Sequence, residues 1–406
     1  MKETIVSFIG SVVPDTPEYV GPGFSRAGNL AQIGFLEAIS TSGMRIGTVL
    51  SSQPVAHFPK GRVLIQGSRK VEVLPGLHET LVPLLNIFIV RDILRALYIY
   101  CYVFLWSLRH FGKRRIVITY NVGVPPVLPL QFIASLTGTK VTSIIYDIVP
   151  AAAYNKGIRK LLFYDCVMRL GQWAIPRLSG RIVITDPIAE RFGGGKHYLR
   201  VDGGVTQAVV DRLFPLLPAE TGQDLVLFFA GGINEWNHVP MLLEMMRTHP
   251  DARLQLWFAG SGASLPLVRE AASRDSRIVY HGMLDLDQLF ELYKRADVLL
   301  NLRNSSDPTM KYHFPSKLLE ILAVGKPVLT TSITHIKAVY GDYCFILEDE
   351  TLDGLFRVVQ AISELGPVKR FEMGARARAF MLREYTWKAQ GARIRAYLEG
   401  EVAGRK

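Results

Sequence analysis

Cysteine is scarce in this chain: Cys101, Cys166 and Cys344 are an odd set with no Cys-x-x-Cys spacing. That excludes a disulfide-stapled scaffold and a zinc finger, and it predicts reduced, buried thiols in a cytoplasmic protein. Metal-ligand patterns are missing too, with no His-Glu-x-x-His and no Asp-x-Asp at a strand end. Gly-x-Ser-x-Gly is absent, which removes the serine-hydrolase elbow. No helix-turn-helix, zinc-finger or aromatic RNA-binding signature is present, so nucleic acid is not the expected partner. Repeats of solenoid length and low-complexity tracts are lacking as well. The opening Met-Lys-Glu-Thr-Ile-Val-Ser-Phe-Ile-Gly has too short an apolar run for a signal peptide and reads as a first strand.

What is present is a long, apolar and basic chain. At 406 residues it suits two domains, and its 49% apolar content supplies two buried sheets. The net charge of +11 attracts anions. Without nucleic-acid signatures, a phosphorylated substrate and an anionic membrane face are the better matches. Residues 84–108 are apolar and aromatic, and end in Arg109-His-Phe-Gly-Lys-Arg-Arg115. Arg91, Asp92 and Arg95 interrupt them, so the uncharged part falls short of the roughly 20 residues a span needs. Two readings stay open: a buried domain helix, or a helix lying on the membrane interface with its basic end on anionic lipid.

Short apolar strands alternate with helical patterns along both halves, the signature of parallel sheets joined by crossovers. In the first half strands are expected at 5–9, 46–50, 115–119, 140–145 and, last, 181–185. A strand pair is expected within 63–73, and helices at 29–40 and 158–177. The Pro-rich stretch 214–223 reads as a linker. Strands at 225–230, 254–259, 278–280 and 298–302 follow, with helices at 239–248 and 286–295 between them. The last part, 352–399, reads as helical.

The second half is organised around Asp307-Pro-Thr-Met-Lys-Tyr-His-Phe-Pro-Ser-Lys-Leu-Leu-Glu320 and Ile321-Leu-Ala-Val-Gly-Lys-Pro-Val-Leu-Thr-Thr331. Strand, loop, helix and strand succeed one another, with Pro315 suited to a first helical turn and Gly325 to its end. That unit aims a helix N-terminus at a ligand phosphate. Ser316 and Glu320 share one helix face. Lys317 puts a cation in the first turn, against the helix dipole, unless an anion binds there. A solvated lysine and an ordinary helix carboxylate would explain the same residues.

Phe-Pro-Ser-Lys-x-x-Glu followed by Ala-x-Gly-Lys-Pro-Val resembles the donor-nucleotide segment of the family 4 retaining glycosyltransferases, closest to the bacterial branch that builds exopolysaccharide, capsule or lipopolysaccharide. The resemblance implies the α/β GT-B architecture: a Rossmann-like acceptor domain at 1–203, a Rossmann-like nucleotide-sugar domain at 204–384 with a cleft between them, and a helix at 385–406 returning to the first. Tyr385-Thr-Trp387 resembles the start of that helix. The resemblance also implies a UDP- or GDP-sugar as donor substrate, no cofactor and no metal, with Glu320 on the ribose hydroxyls. An acceptor joined to a lipid and a peripheral position at the inner face of the cytoplasmic membrane fit the same branch.

Three positions depart from the family. Its sugar-side glutamate is Tyr312 here, and its diphosphate-clamping arginine and lysine are Gly232 and His238. Lys317, Lys311 or Arg303 would then supply the missing charge, with Gly231 and Asn234 beside them. Pro315, Ser316, Lys317 and Leu318 would line the phosphates. Gly260 and the backbone around Met283 match the order of the base-contacting loops. On the acceptor side, Gly23 and Arg26 match a loop near donor phosphate and acceptor. Asp147, in Tyr146-Asp-Ile-Val-Pro150, closes a strand with a carboxylate. Catalytic roles fall to Lys317, steadying the leaving diphosphate, and to Asp147, orienting acceptor or sugar. A nucleotide-sugar epimerase of the same architecture and a non-catalytic polysaccharide-assembly partner are the alternatives.

Overall fold

The computed structural model describes residues 2–21, 23–56, 58–61, 63–87, 90–121, 127–146, 148, 173–193, 197–216 and 224–404. Two units form, Met1–Gly203 with Trp387–Lys406, and Gly204–Thr386.

The first unit is built on β1 (Thr4–Gly10), β2 (Arg45–Ser51), β4 (Arg69–Leu74), β5 (Leu77–Leu81), β7 (Arg114–Tyr120), β8 (Lys140–Ile145), β9 (Gly180–Val183) and β10 (Tyr198–Arg200), with β3 (Ile65–Gln66) and β6 (Leu84–Leu85) pairing separately. The main sheet runs β10-β9-β8-β7-β1-β2-β5-β4. Its pairs are parallel except β4 with β5. β1 is buried along its whole length, Thr4 and Ser7 included, as a mainly apolar strand between two parallel neighbours requires.

Several sequence expectations are corrected here. The strand pair placed within 63–73 is shifted: Arg69–Leu74 turns back at Pro75-Gly76 and pairs antiparallel with Leu77–Leu81. Strand 181–185 is not the last of its half, because Tyr198–Arg200 adds an edge strand beside it. A helix at Val127–Thr137 had no counterpart in the sequence reading. The expected helix 158–177 lies outside the described residues up to 172, and Ile175–Arg177 is a single 3-10 turn.

The apolar segment begins as β6, so its helix spans Val90–Arg109. One stripe, Ile99, Val103 and Trp106, is buried, while Ile93, Leu94, Leu97, Leu105 and Leu108 are exposed. It is therefore not a fully buried helix. Among the described residues no helix is long and apolar enough to cross a membrane. Cys101 lies exposed on this helix, against the expectation of buried thiols, whereas Cys344 is buried and its thiol is pushed up to about 12 by that burial.

Trp387 opens the helix Trp387–Ala396, and its ring packs 5.1 Å from that of Phe35 on the helix Arg26–Thr41. Tyr397 then accepts a hydrogen bond from the Arg181 amide at 2.8 Å, holding the C-terminal segment to β9.

The second unit has β11 (Leu225–Gly232), β12 (Leu254–Ser261), β13 (Ile278–Tyr280), β14 (Val298–Asn301), β15 (Val328–Thr331) and β16 (Phe345–Leu347), ordered β13-β12-β11-β14-β15-β16 and parallel throughout. The chain winds outward from β11 on one side, then restarts at β14 on the other. A switch point between β11 and β14 results, and in such sheets ligands bind at the carboxyl ends of the strands there. Leu227, Phe229, Leu242, Leu256, Phe258, Leu300 and Leu355 belong to the core that fixes the sheet between its helices.

Candidate functional site

The helix Lys317–Val324 follows β14 through a long polar loop. Leu318, Leu319, Ile321, Leu322, Ala323 and Val324 are all buried, so packing leaves it one orientation. It ends at Gly325, whose left-handed φ of 83° suits glycine. The Arg378 guanidinium closes that end, donating to the carbonyls of Ala323 (3.2 Å), Val324 and Phe214 (2.8 Å). The first two are carbonyls a helix leaves without partners, and a cation there complements the dipole.

At the other end, Pro315 precedes the helix by two residues instead of starting it. Ser316 is exposed and makes no side-chain cap. Its amide donates to Phe314 O at 2.9 Å and that of Leu318 to Pro315 O at 2.7 Å. The Ser316 and Leu318 amides, on residues expected to line the phosphates, are thus engaged within the segment itself. The Lys317 amide has no acceptor among the described residues and remains a donor for an anion.

The Lys317 ammonium reaches the carboxyl end of β11, donating to Ala230 O at 2.5 Å. Burial holds its pKa below the usual lysine range, with Glu320 opposing that shift. Glu320, one turn on, is held above the usual carboxylate range by burial, opposed by Lys317. Glu320 also helps burial push up the phenol of Tyr293 on the helix Leu286–Arg295. Tyr293 had no place in the sequence reading, since its position matches no motif.

Arg303 follows β14, next to β11. Its amide donates to Thr331 Oγ1 at 3.0 Å, and burial lowers its pKa. Among the described residues its guanidinium has no ion pair or hydrogen bond, so it is a cation available at the switch point. Lys311 differs: it is exposed and its ammonium lies 5.2 Å from the centre of the Tyr312 ring.

His238 is engaged. Its Nε2 stands 2.6 Å from Glu350 Oε2, and the same carboxylate accepts the Ser305 amide at 3.0 Å. The Asn304 amide donates to Trp236 O at 2.8 Å, so the loops after β11 and β14 are tied twice. Glu350 was missed from sequence. Its signal was the strand-end carboxylate, in Leu347-Glu-Asp-Glu350 after β16.

Asn234 has a structural duty, its Oδ1 accepting the Ala263 amide at 2.9 Å. Gly231 and Gly232 end β11, and the Gly232 carbonyl accepts from Asn237 Nδ2 at 2.6 Å. Gly260, at φ 122°, is irreplaceable in this packing: a Cβ would come 2.0 Å from Gly231 O. Met283 is exposed after β13. In the first unit Arg26 is exposed and pairs with Asp15 at 3.0 Å, and Gly23 lies on the same N-terminal loop. Asp147 lies outside the described residues, while its neighbour Tyr146 donates to Val201 O at 2.6 Å.

So the second unit brings Lys317, Glu320, Arg303, Gly231, Gly232 and His238 to one edge of its sheet. Residues 240–396 match the family described as "Glycosyl transferase-like". Solved structures align over nearly the whole chain. Sucrose-phosphate synthase from Thermosynechococcus elongatus is 14% identical, with 100% of both chains covered and a TM-score of 0.62. HepE from Anabaena, in complex with UDP, is 12% identical over 98% of this chain and 100% of its own, with a TM-score of 0.63. The lipopolysaccharide outer core galactosyltransferase WaaB is 13% identical over 97% and 99%, with a TM-score of 0.61. The chain has the GT-B fold, with two Rossmann-like domains. No curated protein sequence matches it.

Proposed function

We propose that this GT-B protein is a family 4 retaining glycosyltransferase, moving a hexose from a nucleotide diphosphate sugar to a lipid-linked saccharide during cell-surface polysaccharide synthesis. The observation that carries the reading is the pairing of a half-buried lysine and glutamate on one helix tip with an uncommitted arginine at the β11–β14 switch point. UDP occupies the solved HepE structure, and UDP-2-fluoro glucose is bound in a solved structure described as trehalose-6-phosphate from E. coli.

In this reading the reaction's hard task is the charge that grows on the leaving diphosphate. Arg303, Lys317 and the Lys317 amide stabilise it electrostatically without a metal. Glu320 holds the ribose. Attack comes on the face the diphosphate leaves, and a phosphate oxygen takes the acceptor proton. Asp147 orients the acceptor or sugar. Ile93, Leu97, Leu105 and Phe111, exposed beside Arg109, support a membrane-borne acceptor and a peripheral position on an anionic inner membrane face.

Radiolabelled UDP- and GDP-sugars incubated with polyprenyl-diphosphate saccharides test it. Label in the lipid fraction, with unchanged anomeric configuration, is expected. No transfer and no donor hydrolysis across the panel would overturn it.

A further inference from the structure

We infer that Glu350 is a positioning residue for the donor diphosphate, acting through the imidazole of His238. The inference rests on the donor-binding reading above and adds the contact that the site uses in place of a lysine.

His238 sits where the β11 loop turns into the helix Val239–Thr248, in the left-handed conformation at φ 56° and ψ 24°. A residue with a Cβ adopts that region seldom and at some cost in strain. Local bonds maintain it: the His238 amide donates to Glu235 O at 2.9 Å, and the His238 carbonyl accepts from the Leu242 amide at 3.0 Å. The backbone therefore fixes where the ring begins.

Glu350 fixes how the ring is turned. With Nε2 at 2.6 Å from Oε2, a carboxylate that can only accept leaves the proton on Nε2. Nδ1 is then the imidazole's remaining polar edge, and it has no hydrogen-bond partner among the described residues. The Ser305 amide on the same carboxylate locks the pair to the loop that carries Arg303 two residues earlier. His238, when protonated on both nitrogens, gives Nε2–H to Glu350 and keeps Nδ1–H for a phosphate oxygen. A histidine oriented by a carboxylate in this way is a directed donor tied to the loop that carries Arg303. Both side chains of the pair are only 11% and 16% exposed, so the orientation is held in a partly dry setting.

Calorimetric titration with UDP, GDP and inorganic pyrophosphate tests this on the full chain, comparing wild type with Glu350→Gln, His238→Ala and the double variant. Glu350→Gln is expected to weaken the diphosphate-containing ligand that wild type binds by about tenfold or more. His238→Ala should match that loss, and the double variant should lose no more than either single one, since the two act as a unit. Binding of the corresponding nucleoside should change less than twofold. Wild-type affinity in Glu350→Gln would overturn the inference and leave the donor reading standing. A Glu350→Gln loss that persists undiminished in the His238→Ala background would also overturn it, assigning Glu350 to the Ser305 loop alone. Failure of wild type to bind any of the three ligands would overturn both readings. Should Glu350→Gln unfold, His238→Ala carries the test, because it keeps the Glu350–Ser305 bond: undiminished affinity there overturns the inference.

Discussion

Lys317 and Ala230 are joined across the second sheet, the lysine ammonium donating to the last apolar carbonyl of β11 at 2.5 Å. The bond holds a cation at the place where a diphosphate is expected, already stripped of much of its water. Such a group binds an anion more strongly than a solvated lysine does, because the low dielectric magnifies the attraction.

Replacing Lys317 by Met or Ala should therefore weaken UDP or GDP binding by about 1.5–3 kcal/mol, the range for a hydrogen bond to a charged group. In affinity that is tenfold to about 150-fold. Glu320→Ala should cost about tenfold through the ribose. Thermal unfolding provides the control: Lys317→Met removes a desolvated charge but leaves Ala230 O and the Glu320 carboxyl without their partner, so a modestly lower midpoint is expected and binding is measured well below it. Wild-type nucleotide affinity in both variants would undo the site assignment.

How much of this was legible in the sequence depended on range. The helix borders at Val239–Thr248 and Leu286–Arg295 were readable from local signals: Pro240 in the first turn and Pro250 just past the end for the first, and the Asp285–Gln288 capping box for the second. Lys317 and Glu320 were readable because one helix carries both. Glu350 and Arg378 were not. Their partners, His238 and the carbonyls of Ala323 and Val324, come from distant segments that only the fold brings together. The β4–β5 hairpin was expected but placed too early for another reason: alternating charged and apolar residues from 69 to 81 mark a half-exposed edge without saying where the turn falls.

Arg378 should be a stability residue. Its guanidinium serves three carbonyls, two from the end of the Lys317–Val324 helix and one from Phe214. Arg378→Met keeps much of the packing but leaves those acceptors unsatisfied, at about 2–3 kcal/mol. A lower unfolding midpoint, with Arg378→Lys intermediate because an ammonium cannot fork over three acceptors, is the expected calorimetric result. Equal midpoints for all three proteins would refute it.

Glu79 gives stability a dependence on pH. It is fully buried on β5, neither carboxyl oxygen has a hydrogen-bond partner among the described residues, and burial raises its pKa to about 8. The unfolded chain loses this proton near 4.5, so between 4.5 and about 8 the folded state binds more protons than the unfolded one. Stability from this group is complete below 4.5 and declines as pH rises through that window. The stretch from 4.5 to 7, at about 1.36 kcal/mol per pH unit, bounds the loss at about 3 kcal/mol by neutrality. Glu79→Gln cannot ionise and should flatten the decline, most visibly above pH 6, when unfolding midpoints are followed from pH 5 to 8. A wild-type profile in the variant would place the dependence elsewhere.

The Val90–Arg109 helix leads to a prediction about lipid. Its exposed residues Ile93, Leu94, Leu97, Leu105 and Leu108 recur at helical spacing, and Phe111 just beyond is 80% exposed. From residue 84 to 145 the cations are Arg91, Arg95, Arg109, Lys113, Arg114, Arg115 and Lys140, against the single acid Asp92. An apolar stripe with a basic end suits an anionic bilayer, where apolar burial and headgroup attraction add. Wild type should sediment with phosphatidylglycerol vesicles far more than with phosphatidylcholine vesicles, and salt should release it as the headgroup attraction is screened. Leu97→Glu with Leu105→Glu should cut vesicle binding at least tenfold. The same pair should leave the unfolding midpoint unchanged, since those side chains support no core. Wild type remaining in the supernatant with both lipids, while sedimenting as a dimer that the double variant abolishes, would assign the stripe to a second copy of the chain.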